Sequence, residues 1–202
     1  MINYVQTNIL DMLEYVGEDN CKRILSTFAC PLNLDVEDFI HTKAIQFAKQ
    51  KIAISYLVFA EQDNQQYFVG YYTLANKFIC VNSSSLSKTM QKKISKFSQY
   101  DSASDHFMVS MPLIAQLGKN FSTTLPIKMV GADLLEMALE RVLEIEHLIG
   151  GKTVYIECNN QPKLFDFYSA TGFFPFDERI RQTDNPNDTD NVLVQMLKYF
   201  NH

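Results

Sequence analysis

A chain of 202 residues suffices for one well-cored domain and is short for two. Hydrophobic residues at 47% and charged residues at 20% are ordinary for a soluble globular protein, and 15 Phe and 10 Tyr with no Trp give it a core rich in aromatic rings. The formal net charge of −5, from 18 Lys and Arg against 23 Asp and Glu, argues against a dedicated nucleic-acid binder, which carries a basic excess or stripe. Cys21, Cys30, Cys80 and Cys158 form no Cys-x-x-Cys pair and have no histidine at metal-ligand spacing. Reduced thiols in a cytoplasmic protein are therefore expected, with no disulfide framework and no zinc site. No basic leader with an apolar core opens the sequence, and no apolar run approaches the ~20 residues of a membrane-spanning helix.

In chain order, residues 2–10 read as a short first strand and 11–25 as a polar helix interrupted at Gly17. Residues 28–32 look like a loop, since Pro31 and Asn33 favour turns. Val36, Phe39, Ile40, Ala44, Phe47 and Ala48 recur at helical spacing and predict an amphipathic helix over 35–50. Residues 52–59 and 67–74 read as strands joined by a polar hairpin loop, and 78–81 as a third, shorter strand. A helix over 86–97 carries Lys88, Lys92, Lys93 and Lys96, a charge run that reads as a solvated face.

A polar loop over 98–105 precedes a long apolar strand over 106–117. Pro112 within it marks an edge, a bulge or a bend, because proline donates no ladder hydrogen bond. An irregular stretch over 120–129 leads to the strongest helical pattern in the chain, over 130–149, where Leu134, Leu135, Ala138, Val142, Ile145 and Ile149 hold one face and two glycines close the end. Val154, Ile156 and Cys158 then alternate as a buried strand. Pro162 suits the first turn of a short helix bearing Leu164, Phe165 and Tyr168 on one side, Gly172 caps it, and Phe173 and Phe174 resume a strand. Residues 184–190 read as a polar loop and 191–199 as a last strand. The sum is an α/β arrangement with a mixed sheet in a single domain spanning 1–202.

Chemistry is first suggested where the apolar strand ends and the long helix opens near Gly131. Free backbone N–H groups and the positive end of the helix dipole make such a turn an anion site. Within 106–176, the segments LIAQLGKN, MVGADLLEMALERV, KTVYIEC and PKLFDFYSATGF together resemble the acetyl-CoA core of the GNAT superfamily of N-acetyltransferases. That family reads as a strand, a Gln/Arg-x-x-Gly-x-Gly/Ala loop, a helix, a strand, and a helix ending in Phe-Tyr-x-x-x-Gly-Phe. Upstream, FACPLNLDVEDFIHTKAIQFAKQKIAISYLVF followed by VGYYTLANKFI is similar to the start of the acetyltransferase toxins of toxin–antitoxin systems, with Pro31 where that subgroup has glycine.

The resemblance implies a mixed, mostly antiparallel central sheet flanked by helices, and acetyl-CoA as cosubstrate. It puts the family's reactive tyrosine on Tyr168, which protonates the departing CoA thiolate. Leu117, Gly118 and Lys119 fall where the strand pairs with the pantetheine arm and polarises the acetyl carbonyl. Lys128, Met129, Val130, Gly131 and Ala132 fall on the phosphate loop, and Gln161 falls where the family often has a cofactor-side Asn. The loop departs from the pattern: Pro126 replaces the leading Gln/Arg and Met129 replaces a glycine, which hinders close backbone approach. For the base that deprotonates the acceptor, Glu157 and an ordered water are the two candidates. His41, His106, His147 and Cys158 read as surface, capping or packing residues.

Two classes of function follow. The first is an N-acetyltransferase acting on a primary amine, with the subgroup implying a charged tRNA as acceptor. Against that version stands the net charge of −5, with only Lys88, Lys92, Lys93, Lys96, Lys119 and Lys128 to form a basic patch. The second is a binding or regulatory module on the same fold, suggested by the altered phosphate loop. An exposed sheet edge near the last strand offers a homodimer contact.

Overall fold

A computed structural model describes residues 2–180 and 192–201. The polar loop expected over 184–190 lies outside the described residues. Eight strands form a mostly antiparallel sheet in the order β1-β2-β3-β5-β6-β8-β7, with β4 paired to β5. The chain divides into two compact units that its segments enter alternately, Met1–Ala75 with Ile114–Arg141, and Asn76–Leu113 with Val142–His202.

In the first unit, β1 (Asn3–Asn8) pairs antiparallel with β2 (Ile54–Gln62), and β2 with the start of β3 (Gln65–Asn82). Between β1 and β2 lie α1 (Ile9–Val16), α2 (Glu18–Leu25), α3 (Leu34–Asp38), one π-helical turn over Phe39–Lys43, and α4 (Ala44–Lys49). The first strand is thus shorter than the expected 2–10, because the Asn8 side chain accepts from Leu10 N–H and starts α1 there. Asn33 caps α3 in the same way, accepting from Asp35 and Val36 N–H. The helix expected over 35–50 is present with an inserted residue's worth of slack at the π turn.

The hairpin holds a register shift at Val58 and Phe59, where Phe59 pairs with Phe68 and Val58 with Gly70. The extra residue puts Phe68 and Tyr71 on one face, both against the Phe28 ring at 5.7 and 5.1 Å. That ring cluster, with Val36, Ile40, Leu25 and Leu57, forms the core beneath the N-terminal helices. The expected third strand over 78–81 is the far end of β3, which runs unbroken to Asn82.

In the second unit, α5 (Lys88–Ile94) starts at Ser87, whose hydroxyl accepts from Met90 N–H. Lys93 lies 4.4 Å over the Tyr199 ring and donates to Asn201. The loop expected over 98–105 contains β4 (Gln99–Asp101), paired with the start of β5 (His106–Lys119). The helix α6 (Gly131–Ile149) passes through both units. β6 (Thr153–Asn159) and β7 (Phe174–Ile180) flank β8 (Val192–Tyr199), so the outer strand at this end is β7 and not the last strand. All four cysteines are free, and among the described residues no helix is long and apolar enough to cross a membrane.

Glu146, in the last turns of α6, is only 8% exposed, and its Oε1 has no hydrogen-bond partner. Burial pushes its carboxyl up to about 7, against the opposing pull of a Thr153 backbone hydrogen bond and the Lys152 charge. A folded-state value above the ordinary one means the native protein holds the extra proton. Its stability is therefore full below the ordinary carboxylate range and falls as pH rises through about 7. Glu146→Gln removes this dependence, and its denaturant midpoint at pH 8 is expected to exceed the parent's by the equivalent of about 2 kcal/mol, with little difference at pH 4.

Candidate functional site

The first unit carries the end of β5 and the start of α6. Gly118 on β5 is buried under the N-terminal helices, where a Cβ would meet Val36 Cγ1 at 2.5 Å, Phe28 Cζ at 3.0 Å and Tyr71 Cε1 at 3.2 Å. Tyr71 is itself fixed there, its hydroxyl donating to the Val36 carbonyl at 2.6 Å. The Gly118 carbonyl oxygen would lie 3.0 Å from a Cβ on Gly70, with Leu134 of α6 at 3.4 Å from the same point. Glycine at 70 thus lets the strand end and the opening turns of α6 approach one another across β3. Gly118→Ala overfills this spot, and a loss of about 1–3 kcal/mol is expected in denaturant unfolding.

Between them, Ile127 and Met129 are buried, at 7% and 3% exposure, while Lys128 and Val130 point outward. The methionine that replaces a glycine therefore faces the core. Its side chain anchors the turn and leaves the outer side of the loop to Lys128. At α6 the first-turn N–H groups have no intrahelical partners, and the Leu134 N–H is the one that bonds back to the Val130 carbonyl. Asp133 adds a carboxylate to that turn, which opposes an anion, and Lys128 adds a cation that favours one. Lys119 Nζ lies 5.2 Å over the Phe121 ring.

Asn120, in the stretch expected to be irregular, is the polar hub of this region. It is 5% exposed. Its Oδ1 accepts from Ala29 N–H at 3.0 Å and Ser122 N–H at 2.9 Å, and its Nδ2 donates to the carbonyls of Phe68 at 2.8 Å and Thr27 at 3.2 Å. Backbone bonds from Asn120 N–H to Val69 and from Phe121 N–H to Ala29 complete the clamp. An asparagine directly after an apolar strand was the signal available in the sequence, and it did not distinguish a clamp from an ordinary turn.

The second unit carries α7 (Pro162–Ala170). Gln161 is its N-cap residue and is exposed, with Pro162 at the first turn. The helix closes as expected at Gly172, where φ is +89°. Phe173 N–H returns to the Tyr168 carbonyl and Gly172 N–H to that of Ser169, a glycine-dependent C-terminal cap. Lys198 adds a hydrogen bond to the Thr171 carbonyl. The Tyr168 ring sits between Phe167 and Phe173, at centroid distances of 5.0 and 5.9 Å. Burial of its hydroxyl, and next the nearby Cys158 thiol, push its phenol well above the usual tyrosine range.

Glu157 and Cys158 are neighbours on β6 and so point to opposite faces. The Glu157 carboxylate accepts from Gln195 Nε2 at 2.8 Å and lies 3.7 Å from Arg179. It also raises the Tyr155 phenol, after burial. Tyr168 lies on the Cys158 side, so the two expected catalytic residues do not share a face of this strand. Burial likewise raises the Cys158 thiol. His41 Nε2 is 3.0 Å from the Phe28 carbonyl and His106 Nδ1 is 2.5 Å from that of Ser104. No group of three or more metal-ligating side chains occurs among the described residues.

No protein-family model and no curated protein matches the chain. Solved structures do. A structure of AtaT complexed with acetyl-methionyl-tRNAfMet aligns over 95% of this chain and 94% of its own, with a TM-score of 0.62 and 22% identity. A tyrosine-to-phenylalanine variant of KacT aligns over 95% and 93%, at 0.61 and 19%. The chain has the GNAT fold. A structure described as a bacterial toxin aligns over 98% of this chain and 92% of its own, at 0.62 and 16% identity. On that fold Leu117, Gly118 and Lys119 belong to the first unit with Lys128, Met129, Val130, Gly131 and Ala132, whereas Tyr168, Glu157 and Gln161 belong to the second.

Proposed function

We propose that the whole chain works as one N-acetyltransferase domain, moving the acetyl group of acetyl-CoA to a primary amine by direct attack. The observation that carries this reading is Tyr168, a desolvated phenol at the end of a short capped helix, on a fold shared along nearly its whole length with acetyltransferase toxins. Support for the cosubstrate comes from a GNAT-fold neighbour, AtaTR, solved bound with AcCoA. The first-turn N–H groups of α6 and the Lys128 ammonium suit the phosphates of CoA, and Leu117, Gly118 and Lys119 offer backbone groups to its pantetheine arm.

In the reaction the amine nitrogen attacks the thioester carbonyl carbon and the carbon–sulfur bond breaks. Tyr168 donates its proton toward the departing thiolate, and the amine proton goes to an ordered water, because Glu157 faces away from Tyr168 across β6 and is engaged with Gln195. The four free cysteines fit a reducing, cytoplasmic setting. Calorimetry with acetyl-CoA, followed by thiol release against a panel of amines, tests the proposal. Binding in the micromolar range and amine-dependent release of CoA are expected, whereas absence of binding at millimolar cofactor would leave a non-catalytic module on this fold.

A more specific reading makes the acceptor the aminoacyl group of a charged tRNA. The AtaT complex with acetyl-methionyl-tRNAfMet favours it. On this chain the exposed ammonium groups of Lys88, Lys92 and Lys96 would carry the phosphate contacts. Induced expression separates the two, since a tRNA-directed enzyme arrests growth and unchanged growth argues for a smaller acceptor.

A further inference from the structure

Strand β1 is an outer strand of the sheet and, among the described residues, pairs with β2 alone. Its register with β2 runs without a shift from Asn3 to Asn8, so alternate residues direct N–H and C=O groups outward along the free side. Such an edge is a template for another strand, and natural sheets guard it with proline, bulges or charge. The other outer strand is guarded in that way. β7 carries Pro175, a register shift beside it, and the charged Asp177, Glu178 and Arg179. β1, with the sequence NYVQTN, has none of these devices.

Beside this edge lies an apolar groove of about 740 Å3, lined by Val5 and Thr7 of β1 itself. Its floor is one row in register across three strands, Val5, Phe59 and Phe68, with the two phenyl rings 5.5 Å apart. Met12 and Val16 of α1 and Ile24 of α2 form its walls. Val5 is 37% exposed, so the row is open at the β1 end. A strand added outside β1 sets one residue against Val5, in line with that row. Its neighbours two positions away then fall against Asn3 and Thr7 on the same face. A carboxylate stands at each of those two places. Glu61 is the register partner of Asn3 and accepts from its Nδ2 at 3.3 Å, and Asp11 lines the groove with Thr7 as its sole charged residue.

We infer that β1 docks an extended segment of a partner protein, with a large apolar side chain against Val5 and a lysine or arginine two residues to either side. Main-chain hydrogen bonds to the free edge supply affinity, and the apolar row with its two flanking carboxylates supplies specificity. A second copy of this chain fits less well. Self-pairing about Val5 sets the Glu61 end of each copy beside the Asp11 end of the other, carboxylate against carboxylate, in chains of net charge −5. None of these residues belongs to the proposed acetyl-transfer site, so the docking stands or falls apart from it.

Three synthetic peptides provide the probes: TKTFTRT, the same peptide with alanine for phenylalanine, and TETFTET. Their charge pattern reads alike in both directions, so they serve parallel and antiparallel docking. The chain has no tryptophan, and Tyr15→Trp, at a groove-lining position 91% exposed, supplies a sole indole reporter. TKTFTRT is expected to change its emission saturably, and each of the other two peptides to bind at least tenfold more weakly. At saturation the outward amides of β1 are expected to exchange with deuterated solvent at least tenfold more slowly, which a ligand merely filling the groove does not cause. Asp11→Lys is expected to weaken TKTFTRT and strengthen TETFTET, a pair of shifts that simple loss of folding does not produce. No saturable response to TKTFTRT, equal affinity for all three peptides, or unprotected β1 amides at saturation overturns the inference. Slowed β1 exchange in the chain alone that grows with its concentration overturns it in favour of self-pairing.

Discussion

Tyr168→Phe is expected to lower kcat for acetyl transfer by about 10²–10⁴-fold, with KM for acetyl-CoA changed by less than about threefold. The reason lies in the raised phenol pKa. At neutral pH the hydroxyl stays protonated and available as a donor, yet it is a weaker acid than a thiol such as that of CoA. Complete proton transfer is therefore not where its benefit arises. A hydrogen bond from a desolvated phenol is weak to a neutral thioester sulfur and strong to a sulfur acquiring negative charge, which is stabilisation confined to the transition state. Phenylalanine keeps the ring contacts with Phe167 and Phe173, so the folded helix is retained and the loss appears in kcat. Single-turnover measurements separate chemistry from product release. Parent-like chemistry in Tyr168→Phe would remove the acid role while leaving the fold and the cofactor site untouched.

The elements around that tyrosine were legible because local rules govern them. Pro162 at a first helical turn, Gly172 at a cap needing positive φ, and buried residues alternating before them are signals of one short segment. The same holds for the long helix, whose apolar face repeats over 19 residues. What escaped the sequence depends on partners distant in the chain. The register shift in the hairpin puts Phe68 and Tyr71 on one face three residues apart, which neither strand nor helix periodicity predicts. β3 continues through exposed Asn76, Lys77 and Phe78, where the loss of burial looks like a break in a sequence but does not end a hydrogen-bonded ladder.

The candidate site divides along the same line. Tyr168, Gly118 and Gly131 stand on motifs that a sequence carries openly. Met129 reads in the sequence as an obstacle to phosphate, because only the structure reveals that its side chain turns into the core. Glu157 was selected by its place on a strand next to the tyrosine helix. Period-two geometry then sets it on the opposite face from Cys158, engaged with Gln195 and near Arg179.

Asn120→Ala is expected to cost about 3 kcal/mol in denaturant unfolding, the largest effect on stability of any single polar substitution proposed for this protein. The side chain makes four hydrogen bonds at 5% exposure, and its removal takes a partner from two N–H donors and two carbonyls. Water entering the space recovers part of that loss, which keeps the figure below the sum of four separate penalties. Asn120→Asp distinguishes the donor from the acceptor role. The carboxylate still accepts from Ala29 and Ser122, but it faces the Phe68 and Thr27 carbonyls with negative charge where the amide donated. Its stability is expected to recover toward the parent as pH falls and the buried acid gains a proton to donate. The functional consequence follows from position. Asn120 holds the end of β5 against β3 and the 27–29 loop, so its loss slackens the strand end proposed to meet pantetheine. KM for acetyl-CoA should rise in Asn120→Ala by about tenfold, with kcat at saturation less affected. A stability loss under 1 kcal/mol, or a rise confined to kcat, would show that the clamp does not set the geometry of the β5 end.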